Sequence, residues 1–127
     1  MKKVIVGALA ALTMVVSPAA FAQEPTGAAP RAYMIGSYDI KDQAVFQQYI
    51  EAASPLVTKY GGRVIVYNPN VTAIEGSSRS VIAVAEFPSL ADAQRYYDSP
   101  EYTAARQFFT KSTEGFRIIT EGAGLPQ

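Results

Sequence analysis

The sequence predicts an α+β domain, a four-stranded antiparallel sheet with both helices packed on one face. Three observations predict it. The stretch SVIAVAEFPSLADAQRYYDSPEY, residues 80–102, runs from small and branched apolar residues into Leu90, Ala93, Tyr96 and Tyr97 at helical spacing, so a buried strand leads straight into an amphipathic helix. An independent helical stripe lies upstream between two further strand-like runs. In the central strand both alternating sets are largely apolar, Ile82 and Val84 on one side and Val81, Ala83, Ala85 and Phe87 on the other, so neither side suits water.

Each element follows from its own residues. Ala32 to Asp39 carries Tyr33, Met34, Ile35 and Tyr38 and reads as a first strand, in which Gly36 marks a bulge or a close approach by another group. Asp42 is the N-cap of a first helix whose stripe is Val45, Phe46, Tyr49, Ile50, Ala53, Leu56, Val57 and Tyr60. Pro55 lies inside it and predicts a kink or short break after Ala53. Gly61 supplies the left-handed residue that closes the helix. Arg63 to Asn68 is a second strand, interrupted by Asn68-Pro69-Asn70 and continued by an extended piece from Val71 to Glu75, with Gly76, Ser77 and Ser78 turning the chain into the central strand. Ser89 caps the second helix, Ser99-Pro100 restarts helical structure, and Phe116 to Glu121 is the last strand. The order is that of the split βαβ arrangement of ferredoxin-like domains, and right-handed crossovers predict strand order 4-1-3-2. The face opposite the helices is then bare, and a second copy of the chain is its natural cover.

The ends of the chain read differently. Lys2 and Lys3 precede an uncharged run from Val4 to Val16, and Ala20-Phe21-Ala22 has the small residues a signal peptidase needs. Residues 1–22 are expected to be a cleaved signal, cut after Ala22, which implies a periplasmic or secreted protein without a membrane attachment after cleavage. Residues 23–31 read as a flexible leader, 32–122 as the domain and 123–127 as a tail. Losing Lys2 and Lys3 from a chain of 11 basic and 11 acidic residues leaves two acids in excess, which argues against nucleic acid as a partner. Histidine and cysteine are both absent, so the usual ligand sets for zinc, iron–sulfur clusters and His-ligated haem are missing. No cofactor and no metal are expected.

Several short segments carry a family likeness. Glu86-Phe87-Pro88-Ser89, followed by Ala93, Tyr97, Ser99, Pro100, Glu101 and Tyr102, closely resembles the domain-of-unknown-function 1330 family. Tyr60-Gly61-Gly62-Arg63, Ile74-Glu75-Gly76 and Arg79 are similar to it as well. The resemblance implies a small ferredoxin-like domain that pairs into a dimeric α/β barrel, and it implies no activity. Where the family commonly carries a bulkier aromatic such as Trp, this chain has Tyr96.

Glu86 is the candidate catalytic residue, because a carboxylate sharing a strand face with Ile82 and Val84 has the surroundings of a general base. The competing reading is a strand-end carboxylate paired with an arginine. Arg63, Arg79 and Arg117 each flank a strand and are candidates to pair with it or with an anionic ligand. Tyr38, Tyr67 and Tyr97, with Tyr33, Tyr96 and Tyr102, suit either the core or a pocket with an apolar body and polar tips; Tyr38, Arg63, Tyr67, Arg79 and Tyr97 are the candidate ligand-binding residues. No nucleophile–histidine pair, phosphate loop or dinucleotide fingerprint occurs. The expected function is a homodimer that binds a small molecule between sheet and helices. The wider group of dimeric α/β barrels implies an alternative, a cofactor-independent monooxygenase or isomerase with Glu86 as base and Arg63 or Arg79 on an enolate; a second alternative is an interaction or stress-related module.

Overall fold

The computed structural model describes residues 30–124, so the signal segment with its cut after Ala22, most of the leader, and the last three residues lie outside the described residues. Within them the chain forms β1 (Ala32–Ile40), α1 (Gln43–Lys59), β2 (Arg63–Asn68), β3 (Val81–Phe87), α2 (Leu90–Asp98), α3 (Pro100–Ser112) and β4 (Thr113–Glu121). The sheet order is β2-β3-β1-β4 with every neighbouring pair antiparallel, the expected order read from the other edge. This is the α+β ferredoxin-like fold.

Local chemistry sets the helix ends. Asp42 Oδ1 accepts a hydrogen bond from the Val45 amide at 3.1 Å, and Ser89 Oγ accepts one from the Asp92 amide at 3.1 Å while donating to the Asp92 carboxylate at 2.9 Å. Ser99 serves two helices at once: its hydroxyl donates to the Tyr96 carbonyl at 2.9 Å, closing α2, and accepts from the Tyr102 amide at 3.1 Å, opening α3. Caps of this kind contribute about 1 kcal/mol each. Gly61, at φ 82°, closes α1 in the left-handed conformation.

Two expectations need correction, and a third boundary moves. Of the kink or short break expected after Ala53, the break is absent, since α1 continues through Pro55 to Lys59. Pro55 is exposed, so the ring meets solvent, and the buried Ala53 and Val57 on either side hold the helix against the core. The piece from Val71 to Glu75 is not a strand. Asn68 Oδ1 accepts from the Asn70 amide at 2.8 Å, an Asx turn that ends β2 at the prolyl residue, and the loop beyond it is tied by a backbone bond from the Val71 amide to the Ser80 carbonyl at 3.1 Å. The last strand begins at Thr113 rather than Phe116, because its pairing with β1 extends to Ile40.

Cross-strand register sorts the sheet into two faces. Met34, Tyr38, Val81 and Phe87 point to the helices and are buried. They meet an aromatic chain in which Tyr38 packs edge-on to Phe109 at 4.9 Å, Phe109 contacts Tyr49 at 5.2 Å, Tyr49 contacts Tyr102, and Tyr102 lies 4.4 Å from Tyr96, between ring centres. On the other face, Val66 pairs with Val84, Val84 with Ile35 and Ile35 with Ile118, an apolar row across all four strands. Neither α1, α2 nor α3 covers that row. Val66, Phe116 and Ile118 are 40%, 54% and 49% exposed.

Candidate functional site

Arg117 is the residue around which a site is built. It sits on β4 directly opposite Gly36 of β1 and faces the helices. The glycine is a close approach of the kind the sequence predicts, not a bulge: a β-carbon there would lie 2.9 Å from Arg117 Cγ and 3.1 Å from Tyr38 Cε1. The side chain therefore crosses over Gly36 toward α1 and α3. Its guanidinium carbon lies 3.7 Å from the centre of the Phe109 ring, and Nη1 donates to the Tyr49 hydroxyl at 2.8 Å and to the Tyr102 hydroxyl. The two hydroxyls are themselves hydrogen-bonded at 2.9 Å.

The electrostatics of this cluster are one-sided. Arg31, Arg63, Arg79 and Arg95 each have a carboxylate within 4.0 Å, whereas among the described residues Arg106 of α3 and the cluster's Arg117 have none. Burial works against the Arg117 charge, but the Tyr49 and Tyr102 oxygens outweigh it and hold the guanidinium above its usual range. Burial pushes the hydroxyls of Tyr38, Tyr96 and Tyr102 up, so they are neutral at physiological pH. The cluster is thus a lone cation among neutral donors and acceptors.

Two spaces adjoin it. A cavity of about 100 Å³ lies between the sheet and α1, walled by Ile50, Val57, Val64 and Ala85 with Tyr38, Tyr67 and Arg117 as polar groups. A more open groove of about 410 Å³ runs between α3 and β4, lined by Tyr97, Arg106, Thr110, Phe116 and Arg117. Met34, Phe109 and Arg117 belong to both. Arg106 stacks on Tyr97, its guanidinium carbon 4.3 Å from the ring centre. No Asp or Glu among the described residues lines either space. Among the described residues no group of three or more His, Cys, Asp or Glu side chains is placed to hold a metal ion.

The candidates read from the sequence divide between the two faces. Tyr38 and Tyr67 line the cavity and Tyr97 lines the groove. Glu86 does not join them. It lies on the bare face, 8% exposed, with Arg63 Nε at 3.0 Å and Arg31 Nη1 at 3.6 Å from its Oε1, the arginine-paired alternative. Arg79 is elsewhere too, donating to Asp39 at 2.8 Å at the other end of β1. Sequence reasoning placed Arg117 only as one of three strand-flanking arginines and placed Tyr49 only in the α1 stripe. The signal for the first was Gly36, whose missing side chain implies a neighbour that needs the room. Arg106 gave no signal.

Comparison with solved structures places the fold among known ones. A protein of unknown function from Rhodopseudomonas palustris aligns with a TM-score of 0.64 at 15% identity, over 76% of this chain and 85% of that one. A dimeric protein of unknown function and ferredoxin-like fold from Bacteroides fragilis aligns at 0.50 with 19% identity, over 72% and 96%. SnoaB, a cofactor-independent oxygenase from Streptomyces nogalater, aligns at 0.55 with 11% identity, over 78% and 100%. At such identities the likeness is one of fold. No curated protein matches the chain. Residues 31–123 match the family described as Domain of unknown function (DUF1330), and the chain belongs to that family.

Proposed function

We propose that the protein is exported to the periplasm or beyond the cell, pairs as a homodimer through its bare sheet face, and binds a small molecule between sheet and helices without a metal or cofactor. The observation that carries the binding role is Arg117, a cation with no carboxylate partner among the described residues, beside a largely apolar cavity. A mainly apolar pocket with a few convergent polar groups is the usual form of a small-molecule site. The apolar row Val66–Val84–Ile35–Ile118 and the dimeric Bacteroides fragilis neighbour support pairing. An interface of ordinary size would cover roughly 800 Å² of each copy. The test is a thermal-shift screen of neutral and charged one-ring compounds on the protein and on Ala53→Leu, which fills the cavity from α1. Compounds that raise the melting temperature of the parent and not of the variant support the reading; a screen without any stabiliser overturns it.

A second reading has one observation in its favour. Cofactor-free oxygenation is the activity printed for the Streptomyces nogalater neighbour, and the Tyr49–Tyr102–Arg117 cluster would suit an anionic oxygen in such a reaction. Glu86 is separated from that cluster by the sheet, so the reading rests on the tyrosines and Arg117 alone. A turnover that falls by about a hundredfold in Tyr102→Phe, with ligand affinity retained, would favour it.

A further inference from the structure

We infer that the ligand is a small organic carboxylate, its body no larger than about one ring, with the carboxylate held side-on by the Nε and Nη2 edge of Arg117. The inference rests on the reading of the cavity as a ligand site and adds the chemical class. Nη1 is committed to the two tyrosine hydroxyls, and Nε and Nη2 have no partner among the described residues. Among the described residues no fully sealed side-chain nitrogen or oxygen is left without a hydrogen bond, so those two donors keep access to solvent, on a side chain that lines both spaces. They form a planar fork with two parallel N–H bonds, the geometry that fits a carboxylate bidentately.

The surroundings select further. With no acidic residue among the described ones lining the cavity or the groove, an anion meets no repulsion from them, while a cation would meet Arg117 and, in the groove, Arg106. Size follows from the cavity of about 100 Å³, since an apolar cavity of about 150 Å³ takes up benzene. The apolar walls at Ile50, Val57, Val64 and Ala85 receive the body, and the Tyr38 and Tyr67 hydroxyls, which have no hydrogen-bond partner among the described residues, offer neutral polar contacts. The Tyr49–Tyr102 pair fixes the rest of the guanidinium so that its free edge is held in place before the ligand arrives.

The experiment titrates the purified protein with benzoate, short branched carboxylates and the amide isostere of each, followed by backbone amide NMR shifts. Carboxylates are expected to bind about tenfold to a hundredfold more tightly than their amides, the range of a charge-assisted hydrogen bond. Arg117→Gln is expected to erase that ratio, and Arg117→Lys to keep part of it, since an ammonium retains the charge but not the fork. The ratio on the unaltered protein decides the matter even where a variant folds poorly. Amides that bind as well as carboxylates overturn the anion inference and leave the cavity as a ligand site. A panel in which neither series binds at the cavity residues overturns both. A preference that survives Arg117→Gln assigns the anion elsewhere and overturns the role of Arg117.

Discussion

Gly36 and Arg117 are cross-strand partners on β1 and β4, and the absent side chain of the first makes the path of the second: Arg117 Cγ occupies a position 2.9 Å from where a β-carbon would stand. Gly36→Ala is therefore expected to push the arginine off its line toward Tyr49 and Tyr102. Overpacking of this sort costs about 1–3 kcal/mol, partly offset by about 0.4–1 kcal/mol from a stiffer unfolded chain. Urea denaturation measures the sum, and a variant as stable as the parent with unaltered ligand affinity would show that the arginine does not depend on the gap.

Arg117→Met separates a binding role from a structural one. The Tyr49 and Tyr102 hydroxyls are hydrogen-bonded to each other at 2.9 Å, so each has a partner left when the guanidinium is gone, and no carboxylate among the described residues loses one. Stability is expected to stay within about 1 kcal/mol of the parent or to rise, as at sites where function is held against stability. A loss of about 3 kcal/mol or more, the size seen when a buried ion pair is broken, would make the arginine part of the scaffold.

Ile118→Glu puts a charge into the apolar row of the bare face. Ile118 is 49% exposed in the single chain, so the substitution has little effect on the monomer fold, but burying an unpaired carboxylate at an interface is costly. Sedimentation is expected to give a dimer for the parent and a monomer for the variant, both with native circular dichroism. A parent that sediments as a monomer at micromolar concentration ends the pairing proposal.

Acid stability has a local source at Asp39. Hydrogen bonds from the Arg79 guanidinium and from Ser80 hold its carboxyl down at about 2, below its unfolded value. Since the folded value is the lower one, the contribution is fully present above the unfolded value near 4 and fades as pH falls toward 2. Asp39→Asn is expected to flatten the stability profile between about pH 4 and pH 2. Equal acid slopes for parent and variant would contradict the assignment.

Pro55→Ala tests the unbroken helix. The substitution returns a backbone N–H at an exposed position inside α1 and relieves the clash of the ring with the preceding turn. A gain of about 1–3 kcal/mol is expected from a denaturant midpoint shifted upward at constant slope. A loss would mean that the ring itself is needed where it stands.

The fold was legible because the chain states it several times over. Asp42, Ser89 and Ser99 mark helix starts, period-two and period-three-to-four patterns alternate without conflict, and the apolar residues of both β3 faces announce a sheet that wants two covers. Pro55 misled because propensity is local, whereas the packing of Ala53 and Val57 on the core is not. Val71 to Glu75 misled because β-branched residues mark a strand only where a partner strand is in reach. The site was half legible. Tyr38, Tyr67 and Tyr97 were readable as amphipathic side chains, but Arg117 becomes distinctive only when every other arginine of the sheet is seen with its acid, and ion pairing between Glu86 and Arg63 or Arg31 is a fact of register that spacing along one strand does not contain.

The two ends of the domain are stitched together. The Gly122 amide donates to the Arg31 carbonyl at 2.8 Å, beside the pairing of Ala32 with Glu121. A linker of a few residues would thus suffice to join them, and the irregular loop between β2 and β3 offers a place to open the circle. A rearranged gene of that design would keep all four strands and the Arg117 cluster while moving the new ends to the far edge of the sheet, and any tag attached there would leave the junction at Arg31 unencumbered.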